Sequence, residues 1–155
     1  MKDFVNVGLL GAGTVGGGVL KVLEKNAEKI AKEVGKPVRI TKVLDRHVDR
    51  LKQEYGDKYI FTDNADEVLE DKDIDIIVEL LGREHPAKEF IARAFENGKH
   101  VVTANKDVLA KFGSELFPLA HEHNCDFMFE ASVCGGIPII GPLKTSMAAN
   151  QITSI

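Results

Sequence analysis

Gly11, Gly13 and Gly16 stand at the spacing G-x-G-x-x-G within VNVGLLGAGTVGGG, residues 5–18. A short apolar run precedes them and an amphipathic run follows. In that context of strand, tight turn and helix start, the pattern signifies a cradle for the pyrophosphate of a dinucleotide. Each glycine answers a different mechanical need: Gly11 takes the angles of the turn, Gly13 admits phosphate to the main chain, and Gly16 lets the helix lie close to the strand. The first helical turn, Thr14 to Gly17, offers unpaired N–H groups and the positive end of the helix dipole to negative charge.

Three further clusters carry chemistry. Asp45 ends the second apolar run, where an acid in such a fold accepts hydrogen bonds from the adenosine ribose. Its distance from the glycines exceeds the usual twenty or so residues, which extra helical turns between Lys25 and Lys36 would explain. Arg46 beside it suits the 2′-phosphate of NADP, so the pair leaves NAD and NADP open; a turn-capping Asp with a solvated Arg is the simpler alternative. Thr103-Ala104-Asn105-Lys106 follows another apolar run, and a Lys there can reach a cofactor or a polarised substrate oxygen. Equally, Asn105 can simply cap a helix beside a solvated Lys106. Glu130 to Pro138 holds a glycine pair between a carboxylate and a proline, a hard-cation site if Glu130 joins the turn's carbonyls and otherwise an ordinary turn.

The elements that must position these groups are legible from periodicity. Val5 to Leu10 reads as a strand. A long first helix is expected from Thr14 to near Gly35, where Gly35 and Pro37 stop it. Val38 to Leu44 is a second strand, Arg46 to Asp57 an irregular or short helical connection, and Tyr59 to Phe61 a third strand. Asp63 or Asn64 caps a small helix through Leu69. Ile74 to Leu80 is so nearly continuously apolar that it must be a central strand covered on both faces, with Glu79 an anomaly near its end. Pro86 opens a helix towards Asn97, with Phe90, Ile91, Ala94 and Phe95 on one face and Gly98 as its terminator. His100 to Thr103 is a strand, Leu109 to Glu122 a helix, and Cys125 to Phe129 a last strand before a glycine turn and a short amphipathic piece. Alternating strands and helices imply an α/β doubly wound parallel sheet of the Rossmann type, whose ligands bind outside the carboxyl ends of the strands.

Composition narrows the partners. The 155 residues suit one domain, 44% hydrophobic and 28% charged, with a formal net charge of −4 that forms no basic block. Neither nucleic acid nor a membrane is an expected partner, and a cytoplasmic location is expected. Cys125 and Cys134 lack metal-binding spacing and read as reduced structural thiols, in a buried strand and a glycine turn.

Taken together, LLGAGTVGGGV, ELLG followed by Pro86-Ala87, GKHVVTANKDVLA and FEASVCGGIPII closely resemble the N-terminal half of homoserine dehydrogenase. These motifs run through nearly the whole chain, and the last two are far more specific than the glycine loop. The resemblance implies NAD(P)-dependent interconversion of L-homoserine and L-aspartate 4-semialdehyde on the way to threonine, methionine and isoleucine. It implies cofactor contacts from Gly11, Ala12, Gly13, Thr14, Val15, Gly16, Asp45, Arg46, Leu81, Gly82, Thr103 and Lys106, with Lys106 also catalytic. It further implies a monovalent cation, usually sodium, on backbone groups matching Glu130, Val133, Gly135 and Ile137. Two residues depart from the family pattern: Arg83 replaces a usual second glycine and is expected near the nicotinamide end, and Cys134 replaces Ala or Gly. Residues 1–150 are thus expected to be the NAD(P)-binding domain and residues 151–155 the start of a substrate and dimerisation domain, with a homodimer at full length. That further domain would carry the acid and lysine of proton transfer, so this chain alone should bind cofactor without turnover. A stand-alone NAD(H) sensor and another semialdehyde or dipicolinate-type reductase are the competing expectations.

Overall fold

A parallel strand buried on both faces needs apolar residues at successive positions, and this chain supplies them in six places. The computed structural model describes residues 2–147, 149–151 and 154. Its strands are β1 (Val5–Leu10), β2 (Val38–Leu44), β3 (Ile60–Thr62), β4 (Ile76–Glu79), β5 (His100–Thr103) and β6 (Phe127–Met128). They form one sheet in the order β3-β2-β1-β4-β5-β6, with every pairing parallel. The direction of the winding reverses between β1 and β4, which is where such sheets hold ligands.

The helices are α1 (Thr14–Lys25), α2 (Ala27–Val34), α3 (Val48–Tyr55), α4 (Asp66–Leu69), α5 (Ala87–Glu96), α6 (Lys106–Glu122) and α7 (Ile140–Lys144), with a 3-10 turn at Glu130–Ser132. Successive strand residues point to opposite faces, so Leu9 and Leu10 enter different cores. On one face Val7, Leu9 and Val43 meet Leu20 of α1 and Leu51 of α3. On the other, Leu10, Ile77 and Val101 meet Ile91 and Phe95 of α5 and Leu116 of α6. Each such side chain, fully buried, contributes about 1.5–3 kcal/mol.

The helical periodicity from Thr14 to Gly35 covers two helices rather than one. Asn26 separates them: its Nδ2 donates to the Val22 carbonyl at 2.9 Å, a local bond that competes with helix propagation. Residues 46–57 contain a regular helix, α3, anchored by the buried Leu51. Strands β3 and β4 are displaced or shortened by a residue or two at their ends, and α6 begins three residues earlier than its apolar pattern, at Lys106. Phe90 is only half-buried on α5, where Ala87 completes the covered face. Both cysteines are free; Cys125 precedes β6 and is half-buried, and Cys134 is exposed. Among the described residues no helix is long and apolar enough to cross a membrane.

Candidate functional site

The glycine loop follows β1 directly. Gly11 has φ +94°, and a Cβ on it would stand 2.9 Å from the Leu80 carbonyl oxygen. A Cβ on Gly16 would stand 2.0 Å from the Gly11 carbonyl oxygen, so α1 can lie this close to the turn only with glycine there. Gly13 differs, since a Cβ on it would meet no protein atom within 4 Å. Its small size therefore serves no contact inside the protein. Helices α2, α3, α5 and α6 each carry an acid in the first turn, Glu28, Asp49, Glu89 and Asp107, whereas α1 carries none. The positive end of its dipole, at Thr14 and Val15, is left without a carboxylate of its own helix.

Asp45 sits at the end of β2 and holds the loop. Its Oδ2 accepts the Ala12 N–H at 2.9 Å and its Oδ1 accepts the His47 N–H at 2.9 Å, with the His47 Nδ1 at 3.3 Å. Burial works to raise the Asp45 carboxyl, but the hydrogen bonds from the His47 and Ala12 main chain and from the His47 side chain outweigh it and hold the group below the usual carboxylate range. The turn-capping role and the loop-positioning role are thus combined in one side chain. Arg50 of α3, which has no motif to mark it in the sequence, donates from Nη2 to the Ala12 carbonyl at 3.4 Å. Its place one helical turn after Arg46 is the one hint that both could face the loop.

Glu79, the anomaly at the end of β4, is completely buried. It accepts from the Leu81 N–H at 2.7 Å, the Thr103 hydroxyl at 2.6 Å and Asn105 Nδ2 at 3.4 Å. Thr103 Oγ1 in turn accepts the Asn105 N–H at 2.9 Å, and Asn105 Oδ1 caps α6 by accepting the Val108 N–H at 3.2 Å. Asn105 Nδ2 also donates to the Arg83 carbonyl at 2.8 Å. The ends of β4 and β5 are therefore tied by a buried polar network, and Lys106, exposed at the first position of α6, is displayed from it.

The turn after β6 is arranged differently from a carboxylate cation site. Glu130 accepts the N–H groups of Ile139, Ile140 and Gly141 and thereby caps α7. The Gly141 and Ile139 N–H groups outweigh burial and, with Ile140 and Lys144, hold this carboxyl below its ordinary value. Both of its side-chain oxygens thus serve the main chain at the start of α7. The carbonyls of Val133, Gly135 and Ile137 accept no hydrogen bond among the described residues. Cys134 takes φ +53° and Gly135 φ +58° to make this turn. Among the described residues no cluster of three His, Cys, Asp or Glu side chains could hold a metal ion.

These groups line the carboxyl edge of the sheet. A cavity of about 480 Å³ runs past Gly13, Thr14, Lys21 and Arg50. A second of about 350 Å³ lies among Asp45, Arg46, Leu81, Arg83 and Phe90. A third of about 100 Å³ lies between Val15, Leu80, Gly82, Ala104 and Asn105. Leu81 and Gly82 thus fall on the same edge as the glycine loop, as expected. Arg83, expected near the nicotinamide end, lines the cavity between the ends of β2 and β4 together with Asp45 and Arg46, and its carbonyl accepts from Asn105 Nδ2. A cavity of about 320 Å³ at the opposite edge belongs to the structural base of the sheet, where the buried Lys99 donates to the Asp71 and Ile74 carbonyls.

Residues 11–130, from the first fingerprint glycine to the start of the 3-10 turn after β6, match the family of the homoserine dehydrogenase NAD-binding domain. The chain belongs to this family. The homoserine dehydrogenase of Neisseria gonorrhoeae is 48% identical over 151 residues, covering 97% of this chain and 34% of the relative. That of Bacillus subtilis is 41% identical over 151 residues, covering 97% and 35%. The crystal structure of a homoserine dehydrogenase from Thiobacillus denitrificans has the same fold, with a TM-score of 0.90 at 46% identity over 96% of this chain and 34% of that one. A hyperthermophilic archaeal homoserine dehydrogenase in complex with NADPH gives a TM-score of 0.75 at 27% identity, covering 90% of this chain and 48% of the other. The chain spans about a third of the length of the curated homoserine dehydrogenases it matches. The matched family segment includes the glycine loop, Asp45, Glu79 and Lys106 and stops at Glu130, so the Val133–Ile137 turn lies outside it.

Proposed function

We propose that this chain is the nucleotide-binding part of an enzyme that interconverts L-homoserine and L-aspartate 4-semialdehyde with NAD or NADP. The observation that carries this reading is the meeting of the fingerprint loop, Asp45 and Thr103–Lys106 along one sheet edge in a member of the homoserine dehydrogenase family. A bound nicotinamide supplies the acceptor and donor of the electron pair and hydrogen that the alcohol–aldehyde interconversion requires. The N–H groups at Thr14 and Val15 would bind the pyrophosphate, Gly11 and Gly16 would set the loop that presents them, and Asp45 would hold Ala12 in place. Arg46 and Leu81 would flank the adenosine half, and Gly82 the part of the cofactor nearer Ala104 and Asn105. Thr103 and Asn105 would fix the start of α6, so that Lys106 presents its positive charge to the substrate oxygen.

In this reading residues 1–150 bind the nucleotide, residues 151–155 lead into a substrate domain, and the group that takes the substrate's hydroxyl proton belongs to that domain. The carbonyls of Val133, Gly135 and Ile137, which accept no hydrogen bond among the described residues, would with the Glu130 main chain hold a monovalent cation such as sodium, whose fixed positive charge the turn would carry.

The test is a chimera in which residues 1–150 replace the corresponding segment of the Neisseria gonorrhoeae enzyme. Homoserine-dependent reduction of NAD or NADP is the expected result. A chimera that folds and binds dinucleotide yet oxidises no homoserine would overturn the substrate assignment, and turnover by the 155-residue chain alone would overturn the division of labour.

A further inference from the structure

The cavity between the ends of β2 and β4 pairs an apolar floor with charged walls. Leu44, Leu81 and Phe90 supply surface on which a flat heterocycle can lie, and Arg46 and Arg83 stand on its walls with Asp45 and Asp63. The charges are not equally available. Both carboxylate oxygens of Asp45 already accept N–H groups of the protein, from Ala12 and from His47. Neither Arg46 nor Arg83 forms an ion pair among the described residues, and both are exposed. Asp63 is the opposing unpaired charge, which leaves two free cations against one free carboxylate on these walls.

A ribose with a free 2′-hydroxyl is recognised by an available acceptor, whereas a ribose carrying a 2′-phosphate is recognised by guanidinium groups, whose planar donors match phosphate oxygens. Here the acceptor already serves the loop, with one acceptor site left on Oδ2, whereas the two guanidiniums carry no ion pair among the described residues. We propose that Arg83, together with Arg46, binds the 2′-phosphate of the adenosine half, and that Arg83 is a determinant of selectivity for NADP(H) over NAD(H). This rests on the reading that the Gly11–Gly16 loop cradles the pyrophosphate, because that loop sets which end of the dinucleotide reaches the cavity.

The experiment is calorimetric titration of the chain and of Arg83→Gln with NADPH, NADH, 2′,5′-ADP and 5′-AMP. The chain binds NADPH about tenfold or more tightly than NADH, and 2′,5′-ADP more tightly than 5′-AMP by a similar factor. Arg83→Gln weakens both 2′-phosphorylated ligands about tenfold and leaves NADH and 5′-AMP within about twofold. Arg83→Lys, which keeps the charge and loses the planar fork, retains part of the preference. An NADPH-to-NADH ratio that Arg83→Gln leaves unchanged, or a wild-type preference for NADH, would overturn the assignment while dinucleotide binding stands. Failure of the wild-type chain to bind either dinucleotide would overturn the underlying cradle reading and this assignment with it. Arg83 is exposed, so circular dichroism melts of both variants should match the wild type and separate loss of binding from loss of fold.

Discussion

Glu79 and Thr103 share a hydrogen bond of 2.6 Å in a place where neither side chain reaches solvent. The bond joins neighbouring parallel strands at the edge where the loops converge. Because no ion-pair partner of Glu79 occurs among the described residues, its carboxylate depends on the Leu81, Thr103 and Asn105 donors. Thr103→Val keeps the shape and removes the hydroxyl, leaving a carboxylate oxygen and the Asn105 N–H short of a partner. We expect a loss of about 1–3 kcal/mol in urea denaturation, with Thr103→Ser costing less than half as much. Equal effects of the two substitutions would show that shape, not the hydroxyl, is what matters there.

Lys106 breaks a local rule. A cation at the first position of a helix opposes the dipole, at a cost of about 0.3–1 kcal/mol, and such departures concentrate where function requires them. Lys106→Gln should therefore leave the melting temperature equal or slightly higher. In the chimera with the Neisseria gonorrhoeae enzyme the same substitution should lower kcat by about a hundredfold or more, in the range typical of a lost positioned charge. Wild-type kcat in that variant would remove Lys106 from the chemistry.

The parallel sheet and its alternation with helices were legible because buried parallel strands leave near-continuous apolar runs, as in Ile74 to Leu80, and because glycine marks the turns. The fingerprint was legible for a related reason: Gly11 and Gly16 are needed by the fold itself, at φ +94° and at 2.0 Å from a carbonyl. What periodicity could not show was where polar side chains find partners. Asn26 ends α1 through a bond to its own preceding turn, Glu79 is anchored by residues over twenty positions away, and Glu130 is turned towards α7. Arg83 follows the same pattern, since its carbonyl meets Asn105 while the cavity it lines also takes in Asp45 and Arg46 from the end of β2.

Acid should loosen the glycine loop. The Asp45 carboxyl lies below its ordinary value in the folded chain, so the stability it contributes is complete above that ordinary value of about 3.9 and is lost as pH falls through the folded-state value. Melting temperatures of the chain and of Asp45→Asn should differ by a constant amount above about pH 5 and converge below about pH 4. Curves that stay parallel down to the lowest pH would mean that ionised Asp45 does not hold Ala12.

Gly16 and Gly13 should separate cleanly. Gly16→Ala must displace main chain, because its Cβ would lie 2.0 Å from the Gly11 oxygen, and should cost at least about 2 kcal/mol. Gly13→Ala meets no protein atom within 4 Å, and because Gly13 is the N-cap of α1, where glycine is preferred to alanine, stability should fall by no more than about 1 kcal/mol.

That contrast makes Gly13 the sharpest probe of the central claim, that Gly11 to Gly16 cradles a dinucleotide pyrophosphate on the main chain. The decisive measurement is calorimetric titration of NADPH into the chain and into Gly13→Ala. We expect saturable one-site binding by the chain and a loss of about tenfold or more in affinity for Gly13→Ala, at a melting temperature lowered by no more than about 4 °C and well above the titration temperature. Equal affinity in the two proteins, or no binding by the wild-type chain, would contradict it.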